Sequence, residues 1–174
     1  MVRCCGRHVR RQVTERNLYY TLVDATASEA DPMNHGAPEA LSPGYLNGLH
    51  ILLVEDTWHV GEAIKDILQF MGAEVAGPAA TAAEAESLLS ESVPDAALVD
   101  FCLRDDEFAD VLIDRLNERG VHVVVTSGYE VLPTPAVKAA AFLKKPFTNS
   151  QLLAALQPLI ASRRVDGRNA STTL

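Results

Sequence analysis

Four apolar runs in this chain each end in a residue able to do chemistry. Asp95-Ala96-Ala97-Leu98-Val99-Asp100 ends in a carboxylate, and Leu49-His50-Ile51-Leu52-Leu53-Val54 is followed by Glu55-Asp56. Val121-His122-Val123-Val124-Val125 runs into Thr126-Ser127-Gly128, and Ala141-Phe142-Leu143-Lys144 into Lys145-Pro146-Phe147. Carboxylates brought close together can share a hard divalent cation, for which oxygen ligands are preferred. A hydroxyl and an ammonium beside them can hydrogen-bond and neutralise an anionic group. Taken singly, each residue has an ordinary explanation. Glu55-Asp56 suits a solvated helix N-terminus, Asp100 an N-cap or loop acid, Ser127 a turn, and Lys145 or Lys144 the surface. Their joint appearance at four run ends is the signal, because single motifs carry little weight.

The elements that would position them follow from the same runs. Four or five successive apolar residues are too short for a buried helix and read as strands covered on both faces. In an open parallel sheet the carboxyl ends of the strands are where ligands bind. Between the runs lie amphipathic segments. His59 to Met71 places Val60, Ile64, Ile67, Leu68 and Met71 on one face, with Gly72 as a stop. Ala73 to Gly77 is a short strand that Pro78 should end, and Thr81 with Glu84 forms a capping box for a helix through about Ser92, with Ala85, Leu88 and Leu89 inward. After the loop Phe101 to Asp106, a helix is predicted from about Glu107 to Arg119 with Val111, Leu112 and Leu116 inward and Gly120 as its stop. Tyr129 to Ala140 contains Pro133 and Pro135 and leaves room for a short or irregular helix. A final helix from about Asn149 to Ser162 turns Leu152, Leu153, Leu156 and Ile160 inward, and Pro158 should kink or cut it. Strands alternating with helices in crossovers of this length predict an α/β fold: a doubly wound five-stranded parallel sheet, (βα)5, with a shortened fourth helix.

Composition narrows the function. The 174 residues carry a formal net charge of -8, which argues against nucleic acid as a partner. The charge is uneven: residues 1–16 hold five arginines against Glu15, a net of +4 that leaves the remainder at -12. Cys4, Cys5 and Cys102 have neither zinc-ligand spacing nor an even count, so a reduced, cytoplasmic setting is expected. No segment approaches the ~18 apolar residues of a membrane helix, and Leu18 to Val23 is too short and polar for a signal peptide. Residues 1–47 read as a disordered extension, with a short helix conceivable over residues 8–23 and Met33 as an alternative start. Residues 48–162 form the folded domain, and residues 163–174 a polar tail.

Through Glu55-Asp56, Asp100, Ser127 and Lys145-Pro146, residues 49–161 resemble the response-regulator receiver domains of two-component signalling. The spacing agrees, with 44 residues from Asp56 to Asp100 and 18 from Ser127 to Lys145. The Thr126-Ser127-Gly128-Tyr129 stretch, Gly77-Pro78-Ala79-Ala80-Thr81 and the Pro-containing fourth crossover are similar to those of stand-alone receivers paired with HWE-type histidine kinases. The resemblance implies a flavodoxin-like fold and phosphorylation of Asp100. It also implies Mg²⁺ held by Asp56, Asp100 and the Cys102 backbone carbonyl, with Glu55 acting through a water. Lys145 and Ser127 would contact the phosphoryl oxygens, and Pro146 would follow a cis bond. Phosphoryl transfer to a carboxylate joins two anions, so charge neutralisation and positioning are what the site must supply. Phe142 matches the family's switch aromatic and equally suits a plain core position. Alternation along the strand selects Lys145 over Lys144.

Partners implied are a sensor histidine kinase and an unnamed downstream protein, with no enzymatic turnover. Asp105-Asp106-Glu107 departs from the pattern by adding acids near the site, and Ser127 stands where Thr is commoner. Two other functions compete: a receiver-like binding module that is never phosphorylated, and a hydrolase using Asp100 as nucleophile, which would lack a D-x-D pair because residue 102 is Cys.

Overall fold

The computed structural model describes residues 42–104, 107–128 and 138–169, the last seven of them as backbone only. The expected short helix after Tyr129 falls largely, and that over residues 8–23 wholly, outside them, as do Asp105 and Asp106. The elements are β1 (His50–Val54), α1 (Trp58–Phe70), β2 (Glu74–Ala79), α2 (Ala82–Glu91), β3 (Ala96–Asp100), α3 (Asp110–Glu118), β4 (His122–Ser127), β5 (Ala141–Lys144) and α4 (Asn149–Asn169).

All five strands are parallel, in the order β2-β1-β3-β4-β5. This is the flavodoxin-like doubly wound sheet, in which β1 and β3 mark the point where strand order reverses. Every residue of β3 is buried, as a central strand covered on both faces requires. Neighbouring residues on each strand serve opposite layers. Ile51, Leu53, Ala96, Leu98 and Val124 pack with Ile64, Leu68 and Met71 of α1 and Leu152, Leu153 and Leu156 of α4. Leu52, Val54, Ala97, Val99, Val123 and Val125 pack with Ala85 and Leu89 of α2 and Leu112, Ile113 and Leu116 of α3. Among the described residues no helix is long and apolar enough to cross a membrane.

Register fixes the business edge. Val54 is level with Val99, Val125 and Phe142, so β1 stops first, β3 runs one residue further to Asp100, and β4 and β5 two further to Ser127 and Lys144, all at the same edge.

Several boundaries differ from the sequence expectation. Pro78 does not end β2, which runs on to Ala79; as an edge strand it tolerates a missing N–H, and its pairing with β1 shifts register between Leu52 and Val54. The third helix starts at Asp110 rather than Glu107 because the chain folds back first. Leu103 N–H donates to the Glu107 carbonyl (2.8 Å), Ala109 N–H to that of Phe101 (3.0 Å), and Cys102 and Phe108 form an antiparallel bridge. Its inward face is accordingly Leu112, Ile113 and Leu116, while Val111, expected inside, is 59% exposed.

Pro158 does not cut the final helix, which continues to Asn169 through the start of the expected tail. Ala154, whose carbonyl loses its partner there, and Pro158 both lie on the exposed side, where water can take up the bond. The packed unit also starts ahead of residue 48: Leu46 is fully buried, and its N–H donates to the Met71 carbonyl at 2.8 Å. Thr81 caps α2, its Oγ1 accepting from Glu84 N–H (3.2 Å), while Glu84 Oε2 accepts not from Thr81 but from the N–H of Ala80, one residue ahead, at 2.7 Å.

Candidate functional site

Glu55 leaves β1 with its N–H donated to the Ala79 carbonyl of β2 at 2.8 Å. That bond turns its side chain into the sheet edge, where it is only 2% exposed. Asp56 follows, half-buried, and Thr57 opens α1. A helix-opening threonine usually caps a backbone N–H; here its hydroxyl lies 3.3 Å from Asp56 Oδ1 and its N–H donates to Glu55 Oε1 at 3.3 Å. Thr57 thus tethers both acids, a role the sequence reading missed although the residue type and position signalled it.

Asp100 ends the central strand and is 8% exposed. Its Oδ1 accepts from Cys102 N–H at 3.4 Å. Opposite stands Lys145, whose N–H donates to the Ser127 carbonyl at 2.8 Å. Its ammonium donates to Glu55 Oε2 at 2.5 Å and to Asp100 Oδ2 at 2.7 Å. The Lys145-Pro146 peptide bond is cis. Lys144, one residue earlier, is exposed, so alternation separates the two lysines as expected.

One carboxylate oxygen from each of Glu55, Asp56 and Asp100 lies within 4.8 Å of the others. Burial pushes the Glu55 carboxyl above its ordinary range, with the Asp100 charge adding to the shift and Lys145 opposing it. Burial likewise raises Asp100, again against Lys145. For Lys145 burial acts downward, but the two carboxylates more than reverse it and hold the ammonium in its charged form. Three carboxylates against one ammonium leave two negative charges when all are ionised. This oxygen-rich, under-neutralised donor set fits a hard divalent cation.

Ser127 is buried at the end of β4, beside Lys144 of β5 in register. Phe142 is 52% exposed on β5, which rules out the plain core reading for it. Cys102 is half-buried. The structure therefore gathers Glu55, Asp56, Asp100 and Lys145 directly, with Ser127 held through the Lys145 backbone.

A doubly wound parallel sheet carrying an acid cluster and a lysine at its carboxyl edge presents these groups where ligands bind in such folds. No family model matches the chain. Over 114 residues it is 30% identical to the chemotaxis protein CheY of Thermotoga maritima, a match spanning 63% of this chain and 95% of that protein. Its fold is similar to a CheY-like response regulator receiver domain from Methanospirillum hungatei (26% identity, TM-score 0.60, 68% of this chain and 98% of the other). A CheY-like receiver domain from Methylobacillus flagellatus is also similar (25% identity, TM-score 0.56, 63% and 97%). The chain belongs to the CheY-like receiver domains of response regulators.

Proposed function

We propose that this chain is a stand-alone receiver in which Asp100 accepts a phosphoryl group from the phosphohistidine of a sensor histidine kinase. The observation that carries this reading is the Lys145 ammonium bridging Glu55 and Asp100 with Asp56 alongside. In the transfer, an Asp100 carboxylate oxygen forms the new O–P bond while the N–P bond of the donor breaks and its electron pair returns to the imidazole. Asp56, Asp100 and the Cys102 carbonyl would hold Mg²⁺, with Glu55 reaching it through a water. The bound ion supplies charge neutralisation for the phosphoryl oxygens.

Lys145 has a defined task in this scheme. Once Asp100 carries the phosphoryl group as an acyl phosphate its own charge moves outward to the phosphoryl oxygens, and the ammonium keeps Glu55 while turning to one of them. The Ser127 hydroxyl donates to another oxygen. The space it vacates admits Phe142, whose exposed position on β5 leaves it free to turn.

The phosphoryl group stays on the protein, so the chain acts as a signalling acceptor or phosphate sink rather than an enzyme, and its output is contact with another protein in the cytoplasm. The Thr126-Ser127-Gly128-Tyr129 and Gly77-Pro78-Ala79-Ala80-Thr81 stretches favour an HWE-type kinase as donor. Phosphate-affinity gel mobility after acetyl phosphate and Mg²⁺ tests the site: wild type should give a shifted band and Asp100→Asn none. A wild-type band equal to that of Asp100→Asn would sink the assignment, and absence of both bands would favour a binding module that is never phosphorylated. Phosphotransfer profiling against a kinase panel tests the donor class.

A further inference from the structure

Helix α1 is pinned to the edge strand β2 at two points one turn apart, the first of them beside Glu55. At the first, Gly61 meets Pro78. A Cβ on residue 61 would sit 2.7 Å from Pro78 Cβ and 3.0 Å from its Cγ, with Glu55 Cβ at 3.6 Å. Only glycine lets the helix seat this closely on the strand with Glu55 alongside. At the second, Lys65, the next residue on the same helix face, donates from Nζ to the Gly77 carbonyl at 2.8 Å. Gly77 is itself pressed onto β1, since at φ +105° a Cβ would come within 2.3 Å of the Leu53 carbonyl oxygen. The next strand residue but one, Ala79, accepts the Glu55 N–H.

The Gly77–Ala79 segment is therefore gripped by α1 on one side and grips the Glu55 backbone on the other. We infer that Gly61 and Lys65 are positioning residues for the Glu55-Asp56 acid pair, setting its affinity for a divalent cation without touching the cation. This rests on the reading of Glu55, Asp56 and Asp100 as a Mg²⁺ site.

Charge provides a clean discriminator. Lys65 carries a positive charge, so by electrostatics alone its removal would leave Mg²⁺ binding unchanged or tighten it. A positioning role demands the opposite sign. The experiment is calorimetric titration of the full chain with MgCl₂, with the emission of Trp58, the only tryptophan, as a second probe of binding. Lys65→Met should bind Mg²⁺ about tenfold more weakly, the scale seen when groups supporting metal ligands are lost. Lys65→Arg should restore most of the affinity, and at saturating Mg²⁺ the Lys65→Met labelling rate with acetyl phosphate should return close to wild type. Gly61→Ala should weaken binding in the same direction; if it does not fold, the Lys65 pair decides. Unchanged or tighter binding by Lys65→Met, with wild type binding normally and Asp56→Asn not binding, overturns the positioning role alone. Failure of the wild type to bind Mg²⁺ overturns the metal site and this inference together.

Discussion

Lys145→Met would leave Glu55 and Asp100 facing each other in a buried pocket with no ammonium between them. The wild-type contacts are 2.5 and 2.7 Å, and removing one partner of a buried charge pair typically costs about 3–5 kcal/mol. Two carboxylates within 4.8 Å repel by roughly 3.5 kcal/mol at an effective dielectric of ~20, so the variant should relieve itself by taking up a proton. Burial already raises both groups, and losing Lys145 raises them further. A carboxyl whose folded pKa lies above its unfolded value binds its proton first in the folded state, so stability rises as pH falls through the folded value and levels off near the unfolded one, about 4. The deficit of Lys145→Met should thus be about 3–5 kcal/mol at neutral pH and shrink steadily toward pH 5.

Urea unfolding in EDTA, followed by circular dichroism across that range, measures this directly. Adding Asp100→Asn to Lys145→Met removes one uncompensated charge and should recover about half the loss, a non-additivity expected of groups in contact. A deficit below about 1 kcal/mol, the scale of an exposed ion pair, with no pH trend, would refute the buried, under-neutralised pocket.

Three further outcomes follow from the same structure. Mg²⁺ at a hundredfold excess over its dissociation constant should stabilise the wild type by about 2.7 kcal/mol and Asp56→Asn not at all, read as a shift in thermal midpoint. Deleting residues 1–41 should leave the thermal midpoint within a few degrees, whereas deleting 1–47 removes buried Leu46 and should cost about 2–5 kcal/mol in urea unfolding. Val111→Lys should stay within about 0.5 kcal/mol of wild type, as exposed substitutions do, while Ile113→Lys, at a fully buried position, should unfold the domain or sharply lower its midpoint.

The central strands were legible because each is a short apolar run covered on both faces, and the site because its chemistry sits where the runs stop. What stayed hidden depends on partners distant in sequence or on a single residue. Nothing local announces that Leu103 and Glu107 pair across a turn, so three residues were assigned to a helix that starts at Asp110; Val111 then took the inward place that belongs to Ile113. Pro78 reads as a breaker until β2 is known to lie at the sheet edge. Leu46 and Tyr45 are two apolar residues in a Gly- and Pro-rich stretch, too few to mark a boundary. Lys145 was separable from Lys144 because strand alternation is a strict period, whereas the exposure of Phe142 required knowing that β5 closes the other edge.

Both margins of the sheet are blunt. On one side Pro78 offers no N–H and the pairing of β2 with β1 is irregular; on the other, β5 is four residues long and turns Phe142 and Lys144 outward. Short, bulged or charged margins deny an incoming chain the ladder of free donors and acceptors it would need. A partner therefore gains little by extending the sheet and must read side chains on the helical faces and loops. The same bluntness guards against self-templated polymerisation, in which a bare edge strand seeds further pairing.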